Sequence, residues 1–353
     1  MDVDAFDYPL PDDRIAQHPA MPRHAARLLV DNGPGREPTH ARVADLPDLL
    51  QPGDLLVVND TRVIPARLAL RRTSGAAVEV LLLEPRDGRS WEALVRPSRR
   101  LREGETLHAP TGRSDERAPL SLTLDASHGE GRWTVTFDGS TAVTDLLAQW
   151  GQVPLPPYIT APLDDPDRYQ TVYARRPASV AAPTAGLHLS AEVLDALARR
   201  GVRVATVELV VGLGTFRPIT ADRVEDHVMH EERYRIPPET VEALANATTV
   251  VAVGTTVVRT LESWAATGRT EGATGLFIHR PYRFRVVDRL LTNFHVPRSS
   301  LLVMIDAFVG ARWRSLYDEA LAGSYRFLSF GDAMLLTRTA PDAGDGETGP
   351  PCT

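Results

Sequence analysis

The sequence contains no lysine. All 39 basic residues are arginine, set against 46 acidic residues for a net charge of -7. That absence excludes Schiff-base chemistry, pyridoxal phosphate enzymes, P-loop nucleotide binding and lysine general bases. Each needs an amine that can lose its proton or place a point charge on a phosphate. Arginine cannot stand in as a base, because it stays protonated. Cysteine is almost as scarce: the only one is Cys352, next to the last residue. An intrachain disulfide, a cysteine-based zinc site and a thiol nucleophile are thereby excluded. No GxSxG, SxxK or HExxH occurs, so the common hydrolase mechanisms have no support. The first residues, MDVDAFDYPLPDDRIAQ, are acidic and lack an apolar core, unlike a signal peptide. The longest greasy stretch, LLVMIDAFVGA, is short and interrupted by Asp306, so no membrane span is expected. A cytoplasmic, soluble monomer is the expectation.

What is there is 353 residues, 43% of them hydrophobic, enough for one large or two ordinary domains. GDLLVVNDTRVIPARLAL opens with a buried-strand run, Leu55 to Val58, and leads into a polar turn at Asn59-Asp60-Thr61. From Arg67 the texture changes. VEVLLLEP, WEALVRP, LSLTLDA and RWTVTFDG are short β-rich runs parted by Gly, Pro, Ser and Asp. They predict a small all-β domain over 67–152, left through the proline-rich Val153-Pro154-Leu155-Pro156-Pro157. Beyond it strands and helices alternate. Ser190 caps a helix over AEVLDALARR that stops at Gly201, VRVATVELVVG is a strand, and TVVAVG is another that runs into the helical VVRTLESWAAT. This βαβ grammar predicts α/β architecture: one large, discontinuous mixed α/β domain (1–66 plus 153–338) with the smaller β domain inserted. The remainder, 339–353, is rich in Pro, Gly and acids and reads as a disordered tail.

Several loops carry ligand-type residues. A Gly-Thr-Thr turn between a buried strand and a helix, at Gly254 to Thr256, aims backbone N–H groups and two hydroxyls past the strand's carboxyl end. Such a helix start favours a carboxylate or phosphate, although Thr there is more often a simple N-cap. GLGTFR follows a strand but lacks the third glycine of a dinucleotide fingerprint, and taken alone it is better explained as a tight turn. PTAGLHLS and LLTNFHVPRSS place His188 and His295 before helix-like stretches, where each is either a general acid–base or a structural histidine. DHVMHEE holds His227 and His230 three apart, with no third ligand evident, so no metal is expected. RPSRRLR has four arginines in seven residues, and HRPYRFRVVDR interleaves arginine with Tyr282 and Phe284 in the manner that phosphate and stacked-base contacts require; a solvated face is the plainer alternative.

Together these segments resemble the S-adenosylmethionine:tRNA ribosyltransferase-isomerase family of queuosine biosynthesis. The resemblance runs from Phe6-Asp7-Tyr8 to Leu336 and includes LPDDRIAQHPAMPRHAARLLV, VVNDTRVIPARL, WEALVRPSRRL, GQVPLPPYI, DRYQTVYARRPASVAAPTAGLH, GLGTFRPI, VAVGTTVVRTLES, RVVDRLLTNFHVPRSSLL and YRFLSFGDAML. It implies a large mixed α/β domain with an inserted β domain. It also implies a reaction: the ribosyl part of S-adenosylmethionine, the co-substrate, moves onto 7-aminomethyl-7-deazaguanine at the wobble position of a tRNA anticodon loop. The ribosyl unit isomerises to give epoxyqueuosine, and adenine and methionine leave.

That chemistry asks for a base near the ribose 5′ carbon, acidified by the sulfonium, and for help to the leaving adenine. It also needs an anion site for the methionine carboxylate and a positive surface for tRNA. We assign proton transfer to Asp60, His188 and His295. Asn59, Arg62, Thr184, Gly186, Gly214, Thr215, Thr255, Thr256, Arg259 and Asn293 are expected at the substrate, with Thr255 and Thr256 on the carboxylate. Arg96, Arg99, Arg100, Arg283 and Arg285 are expected on tRNA phosphates.

The sequence departs from the family's usual pattern near several of these loops. Val210 stands where the family usually has His, Leu189 for Phe, Val257 for Ser, Gly275 for an acid or amide, and Glu231 for Ser; Pro-Gly-Tyr becomes Arg280-Pro281-Tyr282. Two readings therefore stand. One is the tRNA-modifying enzyme. The other is a paralogue on the same fold that uses S-adenosylmethionine with a small-molecule acceptor or in another sulfonium reaction. A non-catalytic tRNA-binding relic ranks last, since most motif residues survive.

Overall fold

The computed structural model describes residues 1–110, 117–212 and 219–339. Of the segment 339–353, read above as a disordered tail, residues 340–353 lie outside the described residues. The chain divides into two compact units. One comprises Met1–Asn59, Thr184–Glu208 and Pro218–Thr353; the other comprises Asp60–Pro183 and Leu209–Arg217.

The first unit is built on a nine-stranded sheet. Its strands, in spatial order, are Glu271–Thr274, Glu232–Arg235, Arg203–Leu209, Leu55–Asn59, Val250–Val253, Arg289–Asn293, Ala333–Thr337, Arg27–Val30 and Thr39–Arg42. Leu55–Asn59 lies between Arg203–Leu209 and Val250–Val253, and the latter pairs with Arg289–Asn293, all in parallel. Ala333–Thr337 then pairs antiparallel with Arg289–Asn293 and parallel with Arg27–Val30, which makes the sheet mixed. The central strands are buried along their whole length, which is why Leu55–Val58 and Val250–Val253 read as unbroken apolar runs rather than alternating ones. Helices Ala191–Arg199, Thr255–Thr267 and Ser300–Val309 follow the expected spacing. Ser190 Oγ accepts the Val193 N–H at the start of the first, and Gly201 follows its end at φ +79.

The second unit contains a closed, fully antiparallel barrel. Its strands, around the barrel, are Arg132–Phe137, Ser90–Arg96, Ala77–Pro85, Arg67–Arg72, Thr106–His108 and Ser121–Gly129. Alternation sets its core. In Arg132–Phe137 every second side chain, Trp133, Val135 and Phe137, is buried inward. A large mixed α/β unit with an inserted β-barrel is thus the fold that the sequence pattern implied.

Two local expectations differ. Val143–Trp150 is a helix inside the region read as all-β, and Leu146 and Leu147 on one face pack into the barrel core. Eight residues give only two helical turns, too few for the period to stand out beside Gly and Ser punctuation. The polar turn at Asn59-Asp60-Thr61 is not a loop: Asn59 ends one strand and Thr61 begins the next, and both side chains are buried. Ladder pairing on each side outweighs the turn propensity of Asn and Asp.

Because Leu146 is wholly buried in that core, Leu146→Ala is expected to destabilise the barrel by about 2–5 kcal/mol. Urea unfolding followed by tryptophan fluorescence measures this, with Trp133 as the buried reporter. A change below about 0.5 kcal/mol, the size of a surface substitution, would place the helix outside the core.

Candidate active site

Parallel register delivers the candidate residues of the first unit to one sheet edge. Val57 pairs with Ala252 and Val253 with Leu291, so Asn59, Gly254 and Asn293 emerge together at the carboxyl ends of three adjacent strands. Ligands of open α/β sheets bind at that edge.

Gly254 makes the turn into the helix at φ +90 and ψ 155, backbone that only glycine adopts without strain. Gly254 itself is the N-cap, which leaves Thr255 and Thr256 in the first turn and not at the capping position. Both are buried, and Thr256 Oγ1 has no hydrogen-bond partner among the described residues. An unsatisfied buried hydroxyl costs free energy unless something arrives to pair with it. Here it stands beside the free N–H groups and positive dipole end of a 13-residue helix. That donor set fits a carboxylate.

The second cluster is centred on Asn293. Thr184 Oγ1 donates to Asn293 Oδ1 at 3.0 Å, while Asn293 Nδ2 donates to the Leu328 carbonyl at 3.1 Å. The carbonyl can only accept, so the amide orientation is fixed. The 2.9 Å contact from Nδ2 to His188 Nε2 then makes that ring nitrogen the acceptor and puts the imidazole proton on Nδ1. Burial lowers the His188 pKa to about 4, and the nearby Arg326 and Arg23 charges push the same way. The ring is neutral at physiological pH. Gly186 lies buried in the same 3-10 turn, Thr184–His188.

His295 is also buried and neutral, its pKa lowered by desolvation to about 3. Its Nε2 meets Thr292 Oγ1 at 2.9 Å, Tyr317 holds its backbone N–H, and the Tyr8 hydroxyl donates to its carbonyl. Thr292, Tyr8 and Tyr317 carried no signal in the sequence beyond lying in or near motif segments; position relative to His295 appears only in three dimensions.

Other candidates lie elsewhere. Arg259 is buried, and its guanidinium is held by Glu232 and by the Leu276 and Thr274 carbonyls, so it ties the helix Thr255–Thr267 to the edge strands. Asp60 and Arg62 belong to the second unit, where the Asp60 carbonyl accepts the Arg175 N–H and Arg62 reaches Asp167 at 3.4 Å. Gly214 and Thr215 lie outside the described residues. Arg96, Arg99 and Arg100 are exposed on the barrel unit, and no side-chain hydrogen bond or ion pair holds them among the described residues. Arg283 and Arg285 are in the first unit but not at the carboxyl edge: Arg285 donates to the Ala265 carbonyl, near the far end of the helix Thr255–Thr267. His227 packs edge-on against Phe277, whose ring also meets His279. Among the described residues no three His, Cys, Asp or Glu side chains are grouped to hold a metal. No described helix is long and apolar enough to cross a membrane.

The lowered His188 pKa fixes the sign of a pH effect. Above about 6.5, folded and unfolded chains both keep it neutral. As pH falls from there towards 4, only the unfolded chain takes up the proton, so stability is lost, by up to about 1.4 kcal/mol per pH unit. His188→Gln is expected to remove its share of that slope. Chemical denaturation at intervals from pH 7 to 4 checks this; a wild-type slope retained in the variant would contradict a neutral buried His188.

Residues 3–336 match the family described as queuosine biosynthesis protein. A Rubrobacter xylanophilus protein named S-adenosylmethionine:tRNA ribosyltransferase-isomerase is 51% identical over 337 residues, which cover 95% of this chain and 98% of its own. The Gloeobacter violaceus protein of the same name is 50% identical, covering 97% of each chain. The crystal structure of S-adenosylmethionine tRNA ribosyltransferase from Thermotoga maritima is 36% identical and covers 94% of this chain and 99% of that one, with a TM-score of 0.53. An identity of half the residues, sustained almost from end to end, places this chain in the queuosine biosynthesis protein family.

Proposed function

We propose that this chain is an S-adenosylmethionine:tRNA ribosyltransferase-isomerase, which builds epoxyqueuosine at the wobble position of tRNA and releases adenine and methionine. The observation that carries the reading is the full-length match, near 50% identity, to relatives of that name. A paralogue with a small-molecule acceptor is not favoured, because most departures from the family pattern have a local account. Leu189, standing for Phe, is wholly buried and exchanges one apolar packing group for another; Val257, standing for Ser, is also wholly buried. Arg280 forms a paired ion contact with buried Asp306, at 2.5 and 2.8 Å. Gly275 and Glu231 are neighbours: a Cβ on Gly275 would meet Glu231 Cγ at 3.7 Å. The acid or amide missing at 275 is thus matched by a carboxylate gained beside it. Nothing in the structure explains Val210.

S-adenosylmethionine supplies an electrophilic sulfonium that acidifies the adjoining ribose carbon. The chain's residues then have separable tasks. The Thr255–Thr256 turn binds the methionine carboxylate, giving Thr256 Oγ1 the partner it otherwise lacks. Neutral His188, with its proton on Nδ1, is a hydrogen-bond donor to the departing base and a weak proton acceptor, as its low pKa dictates. His295 is poorer still as a base. Arg96, Arg99 and Arg100 hold tRNA phosphates. The protein works in the cytoplasm, as a monomer.

Incubation with S-adenosylmethionine and tRNA carrying the aminomethyl-deazaguanine precursor, followed by nucleoside mass analysis, is expected to give epoxyqueuosine with adenine and methionine. Turnover of a free amine or nucleobase with no tRNA product would establish the paralogue instead. Removing both hydroxyls, Thr255→Ala with Thr256→Ala, is expected to weaken S-adenosylmethionine binding by about 1–3 kcal/mol. Unchanged affinity by calorimetry would count against the carboxylate role. Arg99→Ala with Arg100→Ala is expected to lower tRNA affinity and flatten its salt dependence by roughly 0.7–0.9 per lost contact, leaving S-adenosylmethionine binding intact. Filter binding across salt concentrations reads this out, and a wild-type slope in the variant would remove these arginines from the interface.

A further inference from the structure

A cavity of about 560 Å³ opens at the other end of the sheet from the candidate active site. It is lined by Tyr282, Arg283, Phe284, Arg285, Arg338 and Thr339, with Ala307 beside them. Its position follows from pairing. Arg338 comes directly after Thr337, which pairs with Arg289, the first residue of the strand whose last is Asn293. Arg285 donates to the carbonyl of Ala265 in the last turn of Thr255–Thr267, the helix whose first turn holds Thr255 and Thr256. Thirteen residues at 1.5 Å each separate the two ends by about 20 Å.

The cavity is built for an anion. Arg283 makes no side-chain hydrogen bond or ion pair among the described residues and is exposed. Arg285 spends one N–H on Ala265, and Arg338 two, on the Phe284 carbonyl and on Asp288. Each guanidinium has five donors, so all three keep some for a ligand. The carboxylates nearby are already engaged. Asp288 faces Arg338 at 3.1 Å, and Glu262 accepts the backbone N–H groups of Arg285, Val286 and Val287 together with the Tyr282 hydroxyl. Asp306 is held by Arg280 and Trp313. Three cations therefore converge where the fold offers them one partly exposed counter-charge.

We infer that this pocket holds a backbone phosphate of the tRNA, several nucleotides from the reacting base, as an anchor separate from the carboxyl-edge site. The inference rests on the tRNA-modifying reading above. Arginine forks match the geometry of phosphate oxygens, and a contact about 20 Å from the chemistry adds binding without entering the reaction. Such an anchor is felt in KM for tRNA and in the salt dependence of binding, and not in kcat or in KM for S-adenosylmethionine.

Steady-state kinetics on full-length precursor tRNA test this with Arg283→Ala, with Arg283→Ala combined with Arg285→Ala, and with the charge reversal Arg283→Glu. KM for tRNA is expected to rise about threefold or more per lost contact and further for the reversal, with kcat at saturating tRNA unchanged and the salt slope lower by roughly 0.7 or more per phosphate. Arg283 has no role in holding the fold, so its variants are expected to melt with the wild type, and Arg283→Ala stands as the clean reading should the double variant unfold. Wild-type enzyme that modifies tRNA, beside variants with unaltered KM and salt slope, overturns the anchor. So does a pocket that binds inorganic phosphate by calorimetry in an Arg283-dependent way while tRNA binding ignores Arg283, since the site then serves a small anion. A wild-type enzyme with no tRNA product fails earlier, at the reading on which the anchor depends.

Discussion

The first unit depends on satisfying the polar side chains of one sunken helix. Thr255 to Ser263 are all buried, and they include Arg259, Thr260, Glu262 and Ser263. A polar or charged group in that position is tolerated only when it is fully paired. The pairing partners are the segments that shape both ends of the unit. Arg259 takes Glu232 and two carbonyls from the edge strand region, and Ser263 takes Thr274. Glu262 gathers three consecutive backbone N–H groups and so fixes the loop that carries Tyr282, Arg283 and Arg285. What looks like an awkward helix interior is a set of clamps.

The same helix gives the unit an electrostatic direction. Its amino end, at the carboxyl edge of the sheet, carries free N–H groups and partial positive charge; its other end carries unpaired carbonyls, one of them met by Arg285. The neutral state of His188 and His295 belongs to the same picture. Burial keeps both imidazoles neutral, and for His188 the nearby Arg326 and Arg23 charges push the same way, so neither histidine adds a positive charge. Binding of an anion at the helix start and presentation of uncharged donors beside it are thus separate consequences of burial.

Much of this was legible in the residues. Unbroken apolar runs marked central strands, alternation marked the barrel, and Ser190 and Gly201 marked the ends of a helix, because each pattern reports a local backbone requirement. The Gly-Thr-Thr turn was legible as a helix start, yet its two alternatives, cap or ligand, could be weighed only once Gly254 was seen to be the cap and Thr256 to lack a partner. Arg259 shows the opposite limit. An arginine in a ligand-type motif and an arginine buried against Glu232 look the same in sequence, since the partner stands 27 residues away. Arg338 was missed because it gains its meaning from strand pairing with a distant segment. The helix Val143–Trp150 was missed for want of length.

The outer half of the nine-stranded sheet closes through Leu28 to Val30 lying against Ala333 to Leu335. These partners are about as far apart along the chain as the protein allows. At ribosomal rates of about 5–20 residues per second, the first of them waits roughly 15–60 s for the second to be made. The barrel strands, which all lie between Arg67 and Phe137, emerge as one uninterrupted stretch and have no such wait. During synthesis the nascent chain therefore carries a finished, edgeless barrel beside a half-built sheet whose open side is Leu-rich and in need of protection.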